Sequence, residues 1–186
     1  MKESVRDRIL QVSERLFYKQ GYNLTGINQI IAEAGIAKGS LYNHFKSKEE
    51  LLMSYLESIE KEWFSSLNAF LEQQKKPEDK LLGLFDFRMK AQMNSGFLGC
   101  RFVKVSVEVP KDSSEVLSFI AGHKKKYAGI IDNILSEMDL PVFLQKEDFS
   151  MMVLLMIEGA SVLGISANSS LQLERSKQII SGLLKK

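Results

Sequence analysis

Thirteen consecutive residues, Ile36-Ala-Lys-Gly-Ser-Leu-Tyr-Asn-His-Phe-Lys-Ser-Lys48, carry three lysines, a tyrosine, an asparagine and a histidine, and no acid. Lys38, Lys46 and Lys48 add three positive charges that can meet phosphates. Ser40, Tyr42, Asn43 and His44 supply donors and acceptors that can reach phosphates or base edges, and Gly39 leaves room for a close backbone approach. The chemistry on offer is recognition of a polyanion. His44 also fits a structural histidine beside Phe45, and it is not read as catalytic. A basic helical face can equally be a solvated one, so the surrounding pattern has to decide.

The elements that would position these residues are legible as helices. Val5, Ile9, Val12 and Leu16 recur at steps of three and four and predict an amphipathic first helix ending before Gly21. Thr25 offers a side-chain cap to a second, short helix with Ile27, Ile30, Ile31 and Ala34 on one face, closed by Gly35 in the left-handed conformation. A third short helix begins at Ala37-Lys38 and has two large inward anchors, Leu41 and Phe45. Ser47-Lys-Glu-Glu50 is a capping box that opens a long fourth helix running to about Lys75. Two short helices joined by a tight glycine turn, the second presenting polar side chains, form a helix-turn-helix suited to a major groove about 12 Å wide.

Further helices are predicted from Pro77 to Met93, from Ser113 or Ser114 to about Ile134, from Glu147 to Ala167 and from Leu171 to Leu184. Between Phe97 and Pro110, Val103, Val105, Val107 and Val109 alternate with polar residues, which alone reads as a strand. A lone strand would leave its backbone groups unpaired, so a helix is expected. The expected fold class is all-α with about nine helices. It comprises a DNA-binding domain at 1–50 and an effector-binding and dimerisation domain at 51–186.

Composition narrows the class. With 186 residues, 45% apolar content and a formal charge of +2, the chain can bury a core, and any affinity for nucleic acid must come from a local patch. One cysteine and two histidines exclude an internal disulfide framework and a structural zinc site, so no cofactor or metal is expected. The N-terminal octet Met-Lys-Glu-Ser-Val-Arg-Asp-Arg has no apolar core and predicts no secretory signal. The most apolar run, Met151 to Ile157, falls well short of the roughly 20 residues of a bilayer span. The expectation is a cytoplasmic protein with no membrane partner.

The ordered set of Ile9 to Phe17, Gly21-Tyr22, Thr25, Ile30, Ala34-Gly-Ile36, Lys38-Gly-Ser-Leu-Tyr-Asn-His-Phe45 and Ser47-Lys-Glu-Glu-Leu51 resembles the tetracycline-repressor (TetR) family of bacterial transcriptional regulators. The resemblance covers roughly the first 55 residues. It implies a three-helix DNA-binding domain, a connecting helix, and a divergent helical domain that holds an effector and dimerises through its last two helices. Carried over by position, Lys38, Gly39, Ser40, Tyr42, Asn43 and His44 form the DNA-facing segment, while Thr25 and Lys48 meet phosphates. Ala37 stands where family members often have a serine, which removes one hydroxyl contact.

The resemblance also places an effector cavity among the spans 78–95, 100–109, 113–136 and 147–167. Phe85, Met89, Met93, Cys100, Phe102, Phe119, Met152 and Met156 form the pool of candidate lining residues, a composition that plain core packing also explains. Small residues among Gly159, Ala160, Ser161, Gly164 and Ala167 permit close helix approach, either within one subunit or across a dimer interface. The function implied is a ligand-responsive repressor, not an enzyme. It binds a palindromic double-stranded DNA operator as a homodimer and is released by a small hydrophobic effector.

Cys100 suggests an alternative. At the start of a helix and next to Arg101, its thiol would favour the thiolate and could sense electrophiles or redox state, although free cysteine is often simply buried. A more distant reading pairs Cys100 with His123 as nucleophile and base of a small enzyme.

Overall fold

The computed structural model describes residues 4–185; the first three residues of the charged N-terminal octet lie outside them. Among the described residues there are nine helices and no strand. In chain order they are α1 (Val5–Gln20), α2 (Ile27–Ala34), α3 (Lys38–His44), α4 (Lys48–Leu71), α5 (Pro77–Asn94), α6 (Arg101–Glu108), α7 (Ser114–Ser136), α8 (Lys146–Ala167) and α9 (Leu171–Leu183). Contacts divide the chain into two compact units. The first runs to Trp63 and takes in Arg101–Ile120; the second comprises Phe64–Cys100 and the chain from Ala121 onward. Thus α4 and α7 each contribute to both units, and α6 belongs with the N-terminal helices.

In the first unit the predicted signals act largely as expected. Ser4 caps α1 by accepting the Asp7 N–H, and Ile9, Ser13, Leu16 and Phe17 form its buried stripe. Gly35 ends α2 at φ 60°, ψ 44°, a left-handed conformation that glycine adopts without a Cβ penalty. The expected cap by Thr25 is not made. Gly26 occupies the N-cap position without a side-chain bond, and the buried Thr25 hydroxyl donates instead to Gly21 O at 2.6 Å. It fastens the turn leaving α1. Leu41 and Phe45 are buried as predicted, and Phe17 packs edge-on against Tyr22 and Tyr55.

The capping box at α4 forms with a small variation: Ser47 Oγ accepts the Glu50 N–H at 3.0 Å, while the Glu50 carboxylate accepts the N–H of Lys46. At its far end α4 stops at Leu71, four residues before the expected Lys75, because Gln73 and Gln74 close tight bonds back to Phe70 and Leu71. Proline 77 then starts α5. The valine-rich segment is helical, so its alternation splits across faces: Phe102, Val105 and Val109 are buried while Val107 is exposed.

The core of the second unit is built from α5, α8 and α9 with the ends of α4 and α7, around Leu81, Phe85, Ile131, Phe149, Val153, Leu173 and Ile180. The helix α8 is long and apolar enough, by length and composition, to cross a membrane, which the short run counted in the sequence underestimates. Its Phe149, Val153, Ile157 and Ala160 are buried in this core and it packs on α9 and α5. Only 39% of its most apolar window is buried within the chain.

Candidate functional site

The recognition face is built from below. Leu41 and Phe45, four residues apart, fix α3 on the first unit, and the side chains between them point outward. Lys38, Gly39, Asn43, His44 and Lys46 are exposed, Tyr42 is 44% exposed, and Ser40 is half-buried. No acidic side chain stands between Lys38 and Lys48. The side of α3 that faces solvent therefore offers positive charge and hydrogen-bonding groups on a firmly seated helix.

Two of the predicted contacts have other duties. Thr25 is fully buried, with its hydroxyl committed to Gly21. Lys48 donates to Tyr22 O at 2.6 Å, and its ammonium lies 4.1 Å from the centre of the Tyr22 ring. Burial lowers the Lys48 pKa, an effect that Glu108 opposes. Burial, followed by the charge of Glu49, raises that of Tyr22.

Glu108, at the end of α6, also holds the turn that joins α1 to α2. Its carboxylate accepts the Asn23 N–H at 2.9 Å, and Asn23 Nδ2 donates to the Glu108 carbonyl at 2.6 Å. Gly21 sits at φ 96°, a backbone conformation that favours glycine, and a Cβ there would lie 2.7 Å from the same carboxylate, which would have to shift. At the other end of α6, Arg101 pairs with Glu14 at 2.8 Å and stacks on Tyr18, and Lys104 donates to Tyr18 O. Arg101 is thus engaged with Glu14 and Tyr18 on α1. None of these α6 contacts was anticipated; the paired acid and bases on a short amphipathic helix were the available signal.

The effector candidates fall in both units. Phe102 is buried and Phe119 half-buried in the first unit. In the second, Phe85 is in the core, Met89, Met152 and Met156 pack against it, Met93 is 56% exposed and Cys100 is half-buried.

The second unit also contains a buried polar cluster outside the pool of candidate lining residues. Arg88 is buried on α5 and donates from Nε to Ser161 Oγ at 2.8 Å; Gln92, one turn on, donates to Ser161 O at 2.7 Å. Lys124 donates to Cys100 Sγ at 3.8 Å and to Glu158 at 2.7 Å. Burial opposes the charge on Arg88, but Cys100, Glu158 and Tyr127 outweigh it and raise the pKa. Burial, together with Lys124, Lys126 and Arg88, pushes the His123 pKa down to about 3. The signal was present in α5: Leu81, Leu84, Phe85, Arg88 and Gln92 recur at helical spacing, placing two polar residues on the inward stripe. Among the described residues, no group of three or more histidine, cysteine, aspartate or glutamate side chains could hold a metal ion.

Comparisons with known proteins agree with the N-terminal architecture. Residues 9–55 match the family model described as bacterial regulatory proteins, tetR family. The HTH-type transcriptional repressor KstR2 of Mycolicibacterium smegmatis is 38% identical over 82 residues, covering 44% of this chain and 40% of that protein. The HTH-type transcriptional regulator LmrA of Bacillus subtilis is 28% identical over 183 residues, covering 97% of both chains. The crystal structure of SCO4454, a TetR-family transcriptional regulator from Streptomyces coelicolor, superposes with a TM-score of 0.88 at 22% identity, covering 97% of this chain and 94% of that one. The fold is therefore shared along nearly the whole length, while the family model covers residues 9–55.

Proposed function

We propose that the chain is a member of the TetR family of bacterial regulatory proteins and works as a cytoplasmic, ligand-responsive repressor whose homodimer holds a palindromic DNA operator. The observation that carries this reading is the α3 face: Lys38, Tyr42, Asn43 and His44 project from a short helix clamped by Leu41 and Phe45, with no acid on the segment. In this reading Tyr42, Asn43 and His44 reach the major groove and Lys38 and Lys46 meet phosphates. The backbone near Thr25 lies along the duplex, where family members contact phosphate. Lys48 contributes charge but also secures Tyr22, so a phosphate at this position competes with a carbonyl already bound.

The dimer is assigned to α8 and α9. Leu155, Val162 and Leu163 on α8 and Leu171 and Ile179 on α9 are exposed, and an open apolar groove of about 450 Å³ runs between the two helices. A second copy covering that face explains why α8 is so apolar and yet so little buried within one chain. Two-fold symmetry then presents two copies of α3 to successive major grooves, and the operator is an approximate palindrome.

Functionally, residues 1–50 read DNA and residues 51–186 hold the effector and the partner subunit. The effector equilibrium and the operator equilibrium are linked through the chain segments shared by the two units, α4 and α7 among them. Linkage makes the effect reciprocal: an effector that weakens DNA binding is itself bound more weakly by the DNA complex, typically by 1–3 kcal/mol. A catalytic pair of Cys100 with His123 gains no support, because an imidazole with a pKa of about 3 is a poor general base near neutral pH.

The test is a gel shift with DNA from the chain's own promoter at two stated salt concentrations. Salt-sensitive, sequence-preferring binding is expected, lost at least about tenfold in Tyr42→Ala with an unchanged melting temperature. Equal affinity for the promoter and for an unrelated duplex overturns the reading.

A further inference from the structure

The first turn of α1 carries a cation where its buried stripe would continue. Ile9, Ser13, Leu16 and Phe17 are the buried positions of this helix, and Arg6, three residues before Ile9, lies on the same face. Arg6 is exposed, and its guanidinium carbon stands over the Phe45 ring, 5.1 Å from the centroid. Phe45 is the anchor that seats the end of α3 and is 1% exposed. The arginine thus covers the anchor while its charged head stays in water.

Stability alone does not account for an arginine at this place. Arg6 is the second residue of α1, where a cation meets the positive end of the helix dipole, a penalty of about the same size as the gain from an exposed cation–π contact. Asp7, the acid of that turn, accepts a hydrogen bond from the Ser4 hydroxyl at 2.6 Å, and farther along α1 Arg15 is paired with Glu33. Stacking engages the face of the Arg6 guanidinium. Its N–H donors lie in the plane of the group, and that edge is the one a phosphate takes in a bidentate contact. The residues on either side of Phe45, His44 and Lys46, are exposed and close the α3 face. Arg6 therefore adds a fork-shaped cation beside the end of that face, where Lys46 supplies a point charge.

We propose that Arg6 is a phosphate-binding residue of the DNA-reading surface, gripping the duplex backbone beside the end of α3 while its stack on Phe45 ties that grip to the seat of the recognition helix. The assignment rests on the regulator reading and adds to it a contact from outside the helix-turn-helix. A phosphate held at Arg6 fixes the register of the His44–Lys46 end of the face and reads no base.

The experiment measures the affinity of the full-length protein for its promoter DNA and for an unrelated duplex across a salt series, together with the melting temperature. Arg6→Met keeps an apolar cover over Phe45 and removes the charge. Its melting temperature should stay close to that of the wild type, because the lost stack and the relieved dipole penalty offset each other. Its affinity for both duplexes should fall alike, about fivefold at low salt, and the slope of log affinity against log salt should shrink by about one. Arg6→Lys should restore the slope but only part of the affinity, since an ammonium lacks the fork. Arg8→Met removes the same charge about 200° round the helix and should change the slope much less. A wild-type slope in Arg6→Met, equal losses in Arg6→Met and Arg8→Met, or a loss confined to the promoter sequence each overturns the assignment. So does a fall in melting temperature that Arg6→Lys repairs without recovering the slope, which makes Arg6 a cover for Phe45 and nothing more. Wild-type protein that binds neither duplex overturns the regulator reading and the assignment with it, whereas wild-type binding that Arg6→Met matches overturns the assignment alone.

Discussion

The two units use polar side chains in opposite ways. On α3 they stand outward over two apolar anchors, Leu41 and Phe45, and cost the fold little because water satisfies them until a partner arrives. In the second unit Arg88, Gln92, His123 and Tyr127 are buried, and their hydrogen bonds and charge must be met inside the protein. An exposed polar face can thus be assembled at little cost on a rigid mount, whereas polar groups placed inside must find their partners there.

The contrast can be broken most severely at its mount. Phe45→Ala should cost about 3–5 kcal/mol, visible in urea unfolding, and abolish operator binding by freeing α3; a stable, DNA-binding variant would show that the face does not depend on that anchor. A smaller effect separates contacts on the surface itself. Asn43→Ala should weaken the preferred operator by about 1–3 kcal/mol and relax sequence preference, whereas Lys46→Ala should weaken all duplexes alike and reduce the salt slope by about one. Identical profiles for the two variants would erase the division between base-reading and phosphate-holding residues.

The interior answers to pH rather than to salt. The His123 pKa is about 3 when folded, against an ordinary 6.5, so the unfolded chain binds a proton in that window that the folded chain refuses. The stability due to this group is fully present above pH 6.5 and is lost as pH falls towards 3. His123→Phe should flatten that part of a melting-temperature profile. A slope unchanged by the substitution would mean that the cluster is wetter than its burial implies.

How much of this was legible follows from the physics of each signal. Local signals did well: the capping box at Ser47, the glycine stop at Gly35 and the paired anchors of α3 depend on residues within a turn of one another. The helical state of 101–108 came from counting backbone partners rather than from propensity, since its valines alternate like a strand. What escaped were bonds between residues far apart in the chain. Nothing near Thr25 announces that its hydroxyl will turn back to Gly21 instead of capping α2, and nothing near Arg101 announces Glu14, 87 residues away. Aromatic and methionine content does not point to Arg88 and Gln92, although their place on the apolar stripe of α5 is readable.

The attachment of α6 to the N-terminal helices has a consequence for anyone recombining chains of this fold. Glu108 braces the turn at Gly21–Asn23, while Arg101 and Lys104 fasten α1 at Glu14 and Tyr18. A chimaera that exchanges only residues up to 50 would seat foreign DNA-reading helices on a mismatched bracket. Grafts should therefore travel with the α6 that matches them, or with Glu14, Tyr18, Gly21 and Asn23 retained from the recipient.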